Sequence, residues 1–203
     1  MKILDIQQRS DEWFDARKGK ITGTKLKDIV VKRGTGKKIG YYELIADRLS
    51  VPTDEDPMAR GVRLEEEATA RFEFETEKKV EQVGMCVRDD NDKIAVSPDG
   101  VIENRGVHTE HIEIKCLSSA KHLEAYFEKK IPSEYEMQVL QNFIVNDDLE
   151  TLYFIFYDPR IPALDFHVIE VKREDIKEDI LKYHAYQGEV LREIEELTIK
   201  LAF

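Results

Sequence analysis

The sequence predicts an α/β fold built on one central mixed β-sheet flanked by helices. Apolar residues recur at helical spacing in the first third and at the end of the chain. Short β-rich runs separated by turn residues fill the middle, and a helical stretch interrupts them. That alternation favours one layered core over separate helical and sheet bodies. With 203 residues the chain is long enough for such a core. It reads as a single domain over 1–203: a helical part over 1–79, a sheet core over 80–171 and a C-terminal helix over 173–201.

The elements follow in order. Ser10 is placed to cap a helix through Arg17, and Thr22 another towards Val31. The stretch Gly34 to Gly40 has the composition of a loop, and residues 40–49 form a short amphipathic helix. Pro52 and Pro57 bracket an acidic turn. A longer helix is expected from about Ala59 to Glu77, with Gly61, Leu64, Ala68 and Phe72 along one face. Strands are expected over Val80 to Arg88, Ile94 to Val96, Val101 to Glu103 and His111 to Cys116. A helix follows over Ser119 to Lys129. Another opens at Ser133, where Ser133 and Glu136 have capping-box spacing. Leu149 to Tyr157 and Asp165 to Val171 complete the sheet. In the last helix, Arg173 to Leu201, Ile176, Ile180, Tyr183, Gln187, Val190, Ile194, Leu197 and Leu201 repeat at steps of four and three. A helix lying across the domain's own sheet is the preferred reading of that stripe, and a subunit contact the alternative.

The two cysteines, Cys86 and Cys116, provide no disulfide framework and lack the spacing of a zinc site. No apolar run suggests a membrane span, and the first residues turn polar too early for a secretory signal, so a cytoplasmic protein is expected. The net charge is −11, but it is unevenly spread. Between Arg17 and Lys38 nine basic residues face one acid, Asp28, so this stretch is +8 and the remainder −19. Such asymmetry fits one nucleic-acid-facing surface on an otherwise acidic exterior. Taken alone, the charge run favours a solvated lysine-rich face with no partner.

The chemistry is concentrated in Ser97-Pro98-Asp99-Gly100 and Glu113-Ile114-Lys115. Side chains alternate along a strand, so Glu113 and Lys115 share one face while Ile112, Ile114 and Cys116 point to the other. The interval from Asp99 to Glu113 suits a strand, a turn and a return strand, which brings the two carboxylates together. Two carboxylates and water form a hard oxygen site for Mg²⁺, with Mn²⁺ as substitute. Such a metal acidifies a bound water and neutralises phosphate charge, and a lysine beside it stabilises the transition state. Glu65 is a candidate third carboxylate. Tyr135 and Gln138 share one helical face, which Gln141 continues. Other chemistries fail on pattern: His111-Ile112-Glu113 lacks the cysteine pair of a zinc deaminase, and no phosphate-binding glycine loop or HExxH occurs.

In their order these motifs resemble the lambda exonuclease and YqaJ-like viral recombinase family, within the PD-(D/E)xK nucleases. The resemblance runs from Gln7 to about Tyr157. It opens with Gln8-Arg9-Ser10, Trp13, Arg17, Gly19 and Ile21-Thr22. It continues through Gly61 to Glu65 and Ala68, Ser97 to Gly100, Glu113 to Cys116, and Tyr135 to Gln141. It implies a restriction-endonuclease-like nuclease domain that digests one strand of linear double-stranded DNA from 5′ ends. The 3′ single strands left behind serve a single-strand annealing partner, and the assembly implied is a homotrimer. Carried over, Asp99, Glu113, Glu65 and the Ile114 carbonyl become metal ligands and Lys115 the catalytic lysine. Gln138 and Tyr135 become active-site helpers, while Arg17, Thr22 and Thr24 become DNA contacts. Thr24 stands where the family often has a serine, keeping the hydroxyl. An endonuclease or nickase on the same core, and a catalytically inactive DNA-binding protein, are the alternatives.

Overall fold

The computed structural model describes residues 10–12, 15, 36–51 and 57–201. The helices expected over 10–17 and 22–31, the acidic turn between the two prolines, and Arg17, Thr22 and Thr24 fall wholly or mostly outside these residues. The described elements are α1 (Ile39–Leu49), α2 (Pro57–Thr76), β1 (Cys86–Arg88), β2 (Asn91–Val96), β3 (Gly100–Asn104), β4 (Val107–Lys115), α3 (Ser119–Glu128), α4 (Glu136–Val145), β5 (Thr151–Tyr157), β6 (Phe166–Lys172) and α5 (Lys177–Leu201). Single 3₁₀ turns precede α4 and α5. The strands form a four-stranded sheet in the order β3-β4-β5-β6 and a separate β1-β2 ribbon. The expected mixed α/β fold is therefore present. β3 and β4 are antiparallel. β4 and β5 are joined by a helical crossover and share a starting end, where Glu150 N–H donates to the Thr109 carbonyl at 2.8 Å, so they run parallel. Among the described residues no helix is long and apolar enough to cross a membrane.

The chain divides into two compact units. The first comprises 1–64, 116–130 and 156–167; the second comprises 65–115, 131–155 and 168–203. In the first, α1 packs on α3 through Tyr42, Ala46, Ala120 and Leu123, with Ile161 completing the cluster. Its polar centre is Asp158, which is fully buried. Asp158 accepts from Arg160 Nε at 2.7 Å and from Ser119 Oγ at 2.6 Å, and Arg60 lies 3.6 Å away. Arg60 and Arg160 both donate to the Leu117 carbonyl, at 3.1 and 3.0 Å. His167 is enclosed by stacked Phe156 and the edge of His122, and burial pushes its pKa down to about 3.

The second unit holds most of the sheet. β5 reads Thr-Leu-Tyr-Phe-Ile-Phe-Tyr and is buried from Leu152 to Phe156, as a central strand covered on both faces must be. Full burial of each such side chain contributes about 1.5–3 kcal/mol. On α2, Ala68 and Phe72 are buried one turn apart, while Glu65 lies on the exposed side. The helix stops at Glu77, whose positive φ of 58° places it in the left-handed region that closes helices. Arg173 caps the end of α4 by donating to the carbonyls of Phe143, Asn146 and Leu149.

Three local expectations change. Val80 to Gly84 does not join the first strand; of that stretch only Glu81 pairs, in an isolated bridge to Val101. The side chain of Val80 lies where a Cβ on Gly100 would stand, so its packing role replaces a ladder role. The capping box does not form. Ser133 to Tyr135 is a 3₁₀ turn, α4 begins at Glu136, and its N-cap Tyr135 makes no side-chain cap bond. α5 docks on α4, with Gln187 and Gln141 exchanging amide hydrogen bonds, instead of lying across the domain's own sheet.

Candidate active site

The site is built on the β3–β4 hairpin. Its turn holds Arg105 and Gly106, both at positive φ (55° and 87°), as a two-residue turn matched to strand twist requires. The register pairs Gly100 with Ile112 and so sets Asp99 level with Glu113. Gly100 is required by packing, since a Cβ there would stand 2.3 Å from Val80 Cγ1 and 3.0 Å from Ile112 Cγ1. The close approach holds the turn before β3 against β4. Asp99 Oδ2 then accepts from the Ile114 backbone N–H at 2.6 Å. Ile112 and Ile114 are buried on one face of β4, and Glu113 and Lys115 alternate onto the other. Lys115 forms an ion pair with Glu113, and its Nζ lies 5.3 Å from the centre of the Tyr135 ring. Tyr135 in turn packs on Phe154 at 5.8 Å between ring centres.

Glu113 is only 6% exposed. Burial raises its pKa above the ordinary glutamate range; Lys115 opposes the shift, and the charges of Asp99 and Glu65 reinforce it. Glu65 is raised as well, first by partial burial of its carboxyl group and then by repulsion from Asp99, against the pull of Lys115. The three carboxylates and the lysine thus share one electrostatic field. Among the described residues no three His, Cys, Asp or Glu side chains stand in an arrangement that could itself hold a metal ion. Asp99 and Glu113 are instead turned to the Ile114 N–H and to Lys115. The donor set is nevertheless one of hard oxygens. Burial disfavours the charged form of Glu113 and Glu65, and a divalent cation beside them would offset that cost.

The remaining residues singled out by sequence divide. Gln138 is exposed on α4, one turn beyond Tyr135. Gln141 faces away from this chemistry, donating to the Ala95 carbonyl at 3.0 Å as well as bonding Gln187. Two residues to which the sequence assigned no role, His111 (weighed only as part of a zinc motif) and Asn142, are buried beside the acidic row and bonded to each other at 2.8 Å. The signal for His111 was its place two residues before Glu113 on the same alternating face.

Residues 12–148 match the model of the YqaJ-like viral recombinase domain. The chain belongs to the YqaJ-like viral recombinase family. Two solved structures resemble this YqaJ-like chain along nearly its whole length. LHK-Exo in complex with dAMP is 31% identical, with 95% of this chain and 98% of that one covered and a TM-score of 0.59. The alkaline exonuclease LHK-Exo from Laribacter hongkongensis is 30% identical, with the same coverage and TM-score. No curated protein matches the chain. Family membership and these neighbours place the YqaJ-like chain among nucleases of the lambda exonuclease family.

Proposed function

We propose that this protein is a divalent-metal-dependent 5′→3′ exonuclease that digests one strand of linear double-stranded DNA and leaves 3′ single strands for recombination by strand annealing. The observation that carries the reading is the convergence of Asp99, Glu113 and Lys115 on one end of a single hairpin, with Glu65 in the same field. Asp99, Glu113, Glu65 and the Ile114 carbonyl would hold Mg²⁺, or Mn²⁺ in its place. When bound, the metal supplies an acidified water and charge neutralisation at a phosphate oxygen. Lys115, held between Glu113 and the Tyr135 ring, places a positive charge beside the scissile phosphate, where negative charge grows in the transition state. Tyr135 limits the lysine's freedom, so little reorganisation is needed as the reaction proceeds. Gln138 is assigned to the approaching strand or water. Arg17, Thr22 and Thr24 belong to the same proposal as contacts to the DNA end. So do a homotrimeric assembly and a single-strand annealing partner.

The test is digestion of one linear duplex, labelled separately at its 5′ and 3′ ends, with Mg²⁺ or with EDTA, beside a closed circular duplex. Early loss of the 5′ label that needs Mg²⁺ and spares the circle is the expected result. Early loss of the 3′ label would reverse the polarity, and cutting of the circle would make the protein an endonuclease. No cleavage with either Mg²⁺ or Mn²⁺ would end the enzymatic reading.

A further inference from the structure

His111, Glu113 and Lys115 alternate along β4 and so form one row on one face. The proposed chemistry uses the last two. His111 is 1% exposed and Asn142, on α4, is fully buried. Their side chains belong to a continuous chain of hydrogen bonds. Asn146 Nδ2 lies 3.3 Å from His111 Nε2 and also donates to the His108 carbonyl at 2.7 Å. His111 Nδ1 lies 2.8 Å from Asn142 Oδ1, and Asn142 Nδ2 donates to the Gln138 carbonyl at 3.0 Å. The roles agree with one another if His111 carries its proton on Nδ1: that nitrogen donates to Asn142, and Nε2 accepts from Asn146.

A buried polar pair in this place does something an apolar pair would not. Apolar contact is non-directional and tolerates sliding. A satisfied hydrogen-bond chain admits one register, because any slip leaves buried donors and acceptors unpaired. The chain runs from the strand position two residues before Glu113 to the α4 turn that carries Gln138. Tyr135, at the start of that helix, is the residue whose ring lies against Lys115.

We propose that His111 and Asn142 are positioning residues that fix α4 on β4 in the register that holds Tyr135 against Lys115. The consequence for turnover rests on the nuclease reading above; the consequence for geometry does not.

The experiment uses the full chain and compares wild type, His111→Leu and His111→Asn. The asparagine amide nitrogen sits close to where Nδ1 stood and can still donate to Asn142. Two quantities are measured: kcat and KM on linear duplex DNA with Mg²⁺, and the NMR shifts of the Lys115 ε-methylene protons, which the Tyr135 ring current displaces. For His111→Leu, kcat should fall about tenfold or more with KM within about twofold, since displacement of a catalytic group acts on the chemical step. The Lys115 signals should move towards those of a free lysine, and His111→Asn should restore both readouts. A lower Tm in His111→Leu with kcat and Lys115 shifts unchanged would overturn the proposal, leaving His111 as packing. Failure of His111→Asn to rescue would overturn it too. If wild type cleaves no DNA but the Lys115 signals still move in His111→Leu and return in His111→Asn, the nuclease reading fails and the positioning role stands. Should His111→Leu not fold, Asn142→Ser breaks the same chain with a smaller change and is read in the same two ways.

Discussion

Asp158 and Glu113 are both buried acids, yet the protein treats their charge in opposite ways. Burial alone pushes either carboxyl group up. At Asp158, hydrogen bonds from Arg160 and Ser119 outweigh burial and hold the pKa below the ordinary aspartate range. At Glu113, burial wins over Lys115, and Asp99 and Glu65 add to it. The first acid is held by hydrogen bonds from Arg160 and Ser119 with Arg60 beside it, and both arginines also grip the Leu117 carbonyl. The second keeps a raised pKa despite its ion pair with Lys115, so its charged form is disfavoured where it stands. Closed networks hold a fold together; an open one is where a cation, or a reaction that develops charge, is accommodated.

The comparison can be broken most directly at Asp158. Asp158→Ala strands Arg60 and Arg160 and should cost about 3–5 kcal/mol in urea unfolding, with the cleavage rate per folded molecule unchanged. A variant that stays stable but loses cleavage would move Asp158 to the chemical side. Lys115→Ala should act on the chemistry as well, lowering kcat of the folded enzyme about 10²–10³-fold with DNA binding nearly intact, alongside a loss of Tm because the buried Glu113 loses its partner. Next in size is Gly100→Ala, whose Cβ would collide with Val80 and Ile112; overpacking of this kind costs about 1–3 kcal/mol. Thermal melts would read the loss, and activity should fall with it because Asp99 precedes the collision.

Glu113→Gln sharpens the contrast through pH. A glutamate whose folded pKa is raised contributes stability below its unfolded value, about 4.3, and loses it as pH rises through the folded value. In EDTA at pH 7 the glutamine variant should therefore melt higher than wild type, and the gap should close in acid. A gap that persists at pH 3 would show that charge is not its cause. Mg²⁺ should raise the Tm of wild type more than that of the variant. The smallest effect is expected at Arg105, which adopts a positive φ without being glycine. Arg105→Asn should stabilise the hairpin by about 0.5 kcal/mol, measurable as a small rise in urea midpoint.

Sequence made the β4 row legible because strand alternation is a local rule: Glu113 and Lys115 on one face, Ile112 and Ile114 on the other. The interval from Asp99 likewise announced a hairpin. Features that depend on distant partners were not legible. Nothing near Ser133 says that its turn is 3₁₀. Arg60 and Asp158 are ninety-eight residues apart in sequence, and Asp158-Pro159-Arg160 read only as a connecting turn. His111 and Asn142 each look ordinary until β4 and α4 are brought together. The DNA-contact assignments to Arg17, Thr22 and Thr24 rest on the family's opening motif alone.

The tight hairpin bears on the order in which the chain acquires its chemistry. Glu113 lies fourteen positions after Asp99, so closing that loop carries a small entropic penalty and needs no distant element. Hairpins of this kind form in microseconds. The alignment of the two acids with Lys115 is therefore encoded locally. Glu65 and Tyr135 join them only through the long-range packing of distant segments. The acids need only their own hairpin to stand side by side, whereas the ring that restrains the lysine depends on the rest of the fold.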